Sequence, residues 1–287
     1  MKISGFTFVR NGVTYDYPFL ESINSLLALC DEVVVAVGQS EDDTLKCITS
    51  LHSPKIKILE TVWDGSIRKG GTILSQQTNL APDQVSGDWA LYLQADEVLH
   101  EHDYQTMKET MVRYKDVSEI EGFLFNYKHF YGSYKYIGNS RRWYRHEIRI
   151  VRPHVGVRSW GDAQGFRMNG EKLHVKLIDA AIYHYGWVKP PEIQQIKQKT
   201  FNKLWHTDEW IDQNVGDAYE YNYMQGGMLA NYEGTHPAVM TERIRRQNWI
   251  FTYDPVKVRQ PLKEKILDTI ESQCGWRIGE YKNYIII

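Results

Sequence analysis

Two kinds of apolar spacing alternate along the first hundred residues. Runs at 3–9, 33–37, 56–62 and 89–93 read as strands. The run Val33-Val34-Val35-Ala36-Val37 has no polar interruption, as expected of a strand buried on both faces. Between the runs, 18–29 carries Phe19, Ile23, Leu26 and Leu27 at helical spacing behind Pro18, which suits a first helical turn. The segments 44–51 and 72–81 also read as helices, the first behind capping residues and the second behind Gly70-Gly71. This alternation predicts an α/β fold with a mostly parallel, Rossmann-like sheet flanked by helices, in which ligands bind beyond the carboxyl ends of the strands.

From about residue 121 the texture changes to aromatic and basic strand-like segments, 122–131 and 147–151, broken by glycine-rich turns. After Pro190-Pro191 the spacing predicts helices over 192–205, 217–232, 240–248 and 262–272. The expected organisation is a core over 1–188, changing character near residue 100, with a helical extension over 189–287 packed on it. No internal repeat or low-complexity tract is present.

Composition narrows the function. The 287 residues are 42% hydrophobic, enough to bury a sizeable core. Their 34 basic and 36 acidic side chains leave a net charge of -2, without the broad positive field that nucleic-acid binding needs, so no nucleic-acid partner is expected. Cys30, Cys47 and Cys274 lack the close paired spacing of a zinc site or disulfide framework and suit a reducing, cytoplasmic setting. The N-terminal strand meets Arg10 too early for a signal-peptide core, and no apolar run approaches the ~20 residues that cross a bilayer. Contact with a membrane surface and the oligomeric state stay open.

The sharpest chemical feature is the acidic pair Asp96 and Glu97 closing an apolar strand, where carboxylates can hold a hard divalent cation against a diphosphate. Acidic residues also begin loops and cap helices, so the pair alone leaves both readings open. The cluster His100-Glu101-His102-Asp103 reads as a solvated loop, because adjacent residues on one segment seldom converge on one ion. Aromatic faces mixed with cations over 127–152, among them Tyr131, Tyr134, Arg141, Trp143 and Arg145, suit sugar stacking and phosphate pairing, or a plain β-core.

Two motifs, in order, resemble family 2 glycosyltransferases of the GT-A fold. The stretch from Val33 to Thr44 is similar to the family's second strand and its Asp-Asp-Gly-Ser-Thr-Asp-Asp-Thr loop, matched at Ser40, Asp42, Asp43 and Thr44. The stretch from Gln76 to Glu97 is similar to its Ala-Arg-Asn-Leu-Gly helix and to the Gly-Asp-Tyr strand running into Asp-Ala-Asp, matched at Asn79, Gly87, Asp88, Ala95 and Asp96. Val37 and Gly38 replace acids that contact the base in the family, Thr78 replaces its arginine and Gln94 replaces the first aspartate of the metal motif. The donor's base and sugar therefore stay open.

The resemblance implies transfer of a sugar, with inversion, from a nucleotide-diphosphate donor to a carbohydrate or glycoconjugate hydroxyl. It implies a nucleotide-sugar half over 1–100 and an acceptor and metal half over 101–188. The donor would lie against Phe8, Arg10, Asn11, Gly38, Asp42, Asn79, Gln94, Ala95 and Asp96. Mn²⁺ or Mg²⁺ would be held by Asp96, Glu97 and His184. A carboxylate must take the proton of the attacking hydroxyl; Asp162, in the loop 159–166, is the first candidate and Glu147 the second. A degraded binding module on the same fold is the alternative, and a nucleotidyltransferase a third, although no glycine-rich, lysine-containing phosphate loop comes after the first strand.

Overall fold

The computed structural model describes residues 1–215, 218–254, 258 and 260–287. The first half runs β1 (Ile3–Val9), α1 (Phe19–Leu29), β2 (Glu32–Gly38), α2 (Thr44–Thr49), β3 (Ile56–Thr61), α3 (Thr72–Thr78) and β4 (Trp89–Tyr92). These strands are mutually parallel in the order β3-β2-β1-β4. Alternation along β2 explains why it is apolar throughout: Val33, Val35 and Val37 enter one core with Ile23, Leu26 and Trp89, while Val34 and Ala36 enter another with Phe6 and Tyr92.

The second half adds β5 (Glu97–Leu99), α4 (Tyr104–Arg113), β6 (Gly122–Tyr131), β7 (Ser133–Gly138), β8 (His146–Val151), β9 (Val157–Trp160), β10 (Gly165–Met168), β11 (Glu171–Lys172) and β12 (His174–Trp187). Strand β8 lies antiparallel between β4 and β6 and joins the two halves into one mixed sheet. Strand β12 runs parallel to β6 and carries β5 antiparallel, bringing Glu97 opposite His184. Strands β9 to β11 form a separate antiparallel sheet. The α/β class with a mostly parallel mixed sheet flanked by helices is the observed architecture.

The last hundred residues hold α5 (Pro191–Asn202), α6 (Asp208–Asn214), β13 (Leu229–Asn231), α7 (Thr241–Arg245), α8 (Leu262–Cys274) and β14 (Ile285–Ile286). The helix expected over 217–232 is corrected. Asp217 lies outside the described residues, and beyond it the chain forms a short 3₁₀ turn, Tyr223–Gln225, and then β13, which pairs with β7. The Asn222 side chain accepts from the Met224 N–H at 3.0 Å, and Gly227 turns left-handed at φ 77°, so local polar and glycine chemistry outcompetes the helical spacing. A purely helical extension is corrected too, since β13 and β14 both extend the main sheet. Helix α8 buries no residue, and Glu271 ties it to Arg141 and Arg145. Among the described residues no helix is long and apolar enough to cross a membrane.

Candidate active site

A cavity of about 350 Å³ opens at the carboxyl ends of β1, β2 and β4, where a parallel sheet leaves its strand-to-helix loops free to hold a ligand. Phe8, Arg10, Trp63 and Leu74 line one part of it; Tyr15, Tyr17, Gln94, Asp96, Lys197 and Phe201 line another. The Arg10 guanidinium stacks over Trp63 at 5.6 Å and donates from Nε to the Gln39 carbonyl at 3.0 Å, which fixes a cation on an aromatic wall. Gly38 ends β2 beneath this pair; a β-carbon there would collide with the Trp63 indole and lie 3.0 Å from Arg10 Cβ. Glycine at this position therefore makes room for Trp63.

The loop after β1 is stapled to the loop after β2. The Asn11 N–H donates to Ser40 Oγ at 3.0 Å, Asn11 Oδ1 accepts from the Glu41 N–H at 2.9 Å, and Thr44 Oγ1 accepts from the Gly12 N–H at 2.8 Å. Asp42 accepts from the Thr14 N–H at 2.7 Å and the Thr44 N–H at 3.0 Å. Its carboxylate is thus used by the protein and does not line the cavity, which corrects its expected place against the donor. Asn79 is corrected in the same way: its amide pairs with the Ser159 N–H at 2.7 Å and carbonyl at 3.1 Å, clamping β9 to α3.

Asp96 and Glu97 part company. Glu97 is fully buried and its carboxylate is saturated: Arg149 donates two bonds at 2.8 Å, the Tyr127 hydroxyl a third at 2.8 Å and the Gln94 N–H a fourth at 3.0 Å. A metal ion would have to displace a buried guanidinium, so Glu97 is removed from the expected metal ligands. Asp96 faces the cavity instead. Burial alone would push its carboxyl up, but Lys197 above all outweighs burial and holds it well below the usual carboxylate range. Its Oδ2 lies 3.4 Å from Lys197 Nζ and 3.7 Å from His184 Nε2.

His184 is oriented by a chain of imidazoles. His129 Nε2 lies 2.9 Å from the Tyr144 carbonyl, so that nitrogen carries a proton, and His129 Nδ1 lies 3.1 Å from His184 Nδ1. Burial holds His129 well below the usual histidine range, hence neutral, so its Nδ1 accepts and His184 Nδ1 donates. The far nitrogen of the His184 ring, Nε2, lies 3.7 Å from Asp96 Oδ2, a separation too long for a hydrogen bond. Gly186 permits the approach: a β-carbon there would sit 2.5 Å from Asp96 Oδ2 and 2.7 Å from His184 Nε2. A carboxylate oxygen and an imidazole nitrogen this close are donor types that suit a divalent cation, Mn²⁺ better than Mg²⁺, although among the described residues no cluster of three or more ligating side chains is gathered.

Asp162 occupies a sharp turn between Gly161 at φ 61° and Ala163 at φ 66°, a left-handed conformation that costs a residue with a β-carbon. The Ala163 carbonyl accepts from Gln94 Nε2 at 3.3 Å, which ties this turn to a residue of the cavity wall, although Asp162, like Glu147, is not itself part of the lining. Burial raises the Asp162 carboxyl, as suits a proton acceptor. Glu147 is buried more deeply, with Oε2 unpartnered, and burial pushes it up to about 8. It is a neutral acid at pH 7 and lies outside the cavity lining.

Of the expected donor residues, Phe8, Arg10, Asn11, Gln94, Ala95 and Asp96 line the cavity. The sequence pattern gave no sign of Trp63, Tyr17, Lys197 and Phe201 as site residues, yet they also line it; Arg149 and His129 act through Glu97 and His184. A hint existed for Lys197: in α5 the buried residues Gln194, Gln195 and Lys197 are all polar, which an ordinary amphipathic helix would not bury.

No protein-family model matches the chain, and no curated protein matches its sequence. Solved structures do. S. aureus TarS 1–349 in complex with UDP-GlcNAc is 21% identical over 45% of this chain and 35% of that one, with a TM-score of 0.34. S. aureus TarS is 17% identical over 74% and 42%, with a TM-score of 0.41. Glucosyl-3-phosphoglycerate synthase from Mycobacterium tuberculosis, in complex with Mn²⁺, UDP and phosphoglyceric acid, is 20% identical over 45% and 43%, with a TM-score of 0.29. The chain thus spans about a third of the first of these and less than half of the other two.

Proposed function

We propose that the chain is a glycosyltransferase that moves a sugar from a nucleoside-diphosphate donor to an acceptor hydroxyl. The observation that carries this reading is the approach of His184 Nε2 to within 3.7 Å of Asp96 Oδ2, a carboxylate that lines a strand-end cavity together with Arg10 and Lys197. Basic groups suit a diphosphate, and the Phe8 and Trp63 rings offer a face for a nucleobase. Asp96 and His184 are the residues to hold a divalent cation, with Mn²⁺ preferred. Bound there, it supplies positive charge to the departing diphosphate.

The acceptor oxygen forms a bond to the anomeric carbon while the bond from that carbon to the diphosphate oxygen breaks. The electron pair leaves with the diphosphate, and the hydroxyl proton passes to the Asp162 carboxylate. Inversion and a cytoplasmic setting belong to the same reading. Uridine, guanosine, cytidine and thymidine diphosphate sugars, incubated with the chain and Mn²⁺, should include one that releases nucleoside diphosphate. Asp162→Asn should slow that release about 10²- to 10⁴-fold without weakening donor binding. Nucleotide binding with no turnover under any acceptor would instead support a binding module, and release of pyrophosphate a nucleotidyltransferase.

A further inference from the structure

Lys197 enters the cavity from α5, far along the chain from the strand loops. Its ammonium is buried and donates to two acceptors, Asp96 Oδ2 at 3.4 Å and the Gly186 carbonyl at 3.1 Å, with the centre of the Tyr17 ring 4.8 Å away. A second buried lysine, Lys189, lies 4.4 Å from the centre of the same ring and donates to the Tyr15 carbonyl at 2.6 Å, and burial holds it well below the ordinary lysine range. Asp96 pairs directly with Lys197 and lies near Lys189, on which Asp16 acts as well. The oxygen that Lys197 takes is also the one nearest His184 Nε2, so the ammonium and a divalent cation would draw on the same donor atom. Two cations cannot share it without repulsion.

We infer that Lys197 is the resident counter-cation of this site and a contact for the donor's diphosphate: it holds Asp96 while no nucleotide is bound, and the diphosphate draws it away. The inference rests on the nucleotide-sugar reading. Its consequence is an order of binding, since Mn²⁺ competes with an internal ammonium when alone and meets a freed carboxylate when nucleotide is present. A lysine that merely filled space against Asp96 would give no such coupling.

The test is a titration of the full chain with Mn²⁺, read from the electron paramagnetic resonance of the free ion, with and without the best-binding nucleoside diphosphate. Wild-type affinity for Mn²⁺ should rise about tenfold or more when the nucleotide is present. Lys197→Met should bind Mn²⁺ alone about tenfold more tightly than wild type and bind the nucleotide without metal about tenfold more weakly. Lys197→Arg, which keeps the charge, should match wild type in the first respect. If the methionine variant does not fold, Lys197→Gln, which keeps a donor for Asp96 and Gly186, replaces it. The inference is overturned if removing the ammonium leaves the affinity for Mn²⁺ alone unchanged or lower, or if neither chain binds Mn²⁺. The nucleotide reading fails on a separate arm, in which wild type binds none of the four nucleoside diphosphates with Mn²⁺ present.

Discussion

On the cavity side of the turn after β4, Asp96 lines the cavity, with Lys197 at 3.4 Å and His184 at 3.7 Å from one carboxylate oxygen. On the other side Glu97 is closed into a fully buried network with Arg149, Tyr127 and the Gln94 N–H, two bonds to each oxygen. Adjacent residues point oppositely because the chain turns into β5 between them, and β12 receives Glu97 from beneath. Saturation leaves Glu97 no oxygen for a ligand, whereas Asp96 keeps a place on the cavity wall.

The largest effect that would sharpen this contrast lies on the closed side. Arg149→Met leaves a buried carboxylate unpaired and should cost about 3–5 kcal/mol in urea unfolding, most of it recovered when Glu97→Met is added. A loss under about 1 kcal/mol would mean that the pair is not held as described and would reopen Glu97 as a ligand.

Next comes pH dependence. The Glu147 carboxyl, pushed up to about 8 from an ordinary value of 4.5, keeps its proton in the folded chain while the unfolded chain loses it. Its contribution is fully present below pH 4.5 and is lost as pH rises to about 8. Glu147→Gln should therefore gain about 2 kcal/mol or more relative to wild type between pH 5 and pH 8, measured by urea midpoints. An equal difference at both pH values would show that the group titrates normally and would return it to the candidates for the base.

The smallest effect lies on the open side. Trp63→Ala should weaken nucleotide binding by about 1 kcal/mol or more through loss of a stacking face. Unaltered affinity would place the base elsewhere in the cavity.

Much of the fold was legible because β1, β2 and β4 bury both faces, and continuous apolar runs such as 33–37 leave few alternatives. The motif residues were legible as a set, but their tasks were not. Asp42, Asn79 and Glu97 are polar groups whose partners come from other loops and strands, Thr14, Ser159 and Arg149, and spacing along the chain carries no information about such pairs. Asp162 stood out through its flanking glycine. The turn at Ala163, a left-handed residue without a glycine's freedom, could not be read locally. Lys197 was hidden for a different reason: its helix lies some hundred residues from Asp96, and lysines are usually solvated.

The most direct test of the open side is calorimetric titration of wild type and Asp96→Asn with uridine, guanosine, cytidine and thymidine diphosphates, each with and without Mn²⁺. The expected result is that at least one binds wild type more tightly with Mn²⁺, while Asp96→Asn still binds it but gains nothing from the metal. An undiminished Mn²⁺ gain in Asp96→Asn, or no binding of any nucleotide to wild type, would contradict the assignment of Asp96 to a nucleotide and metal site.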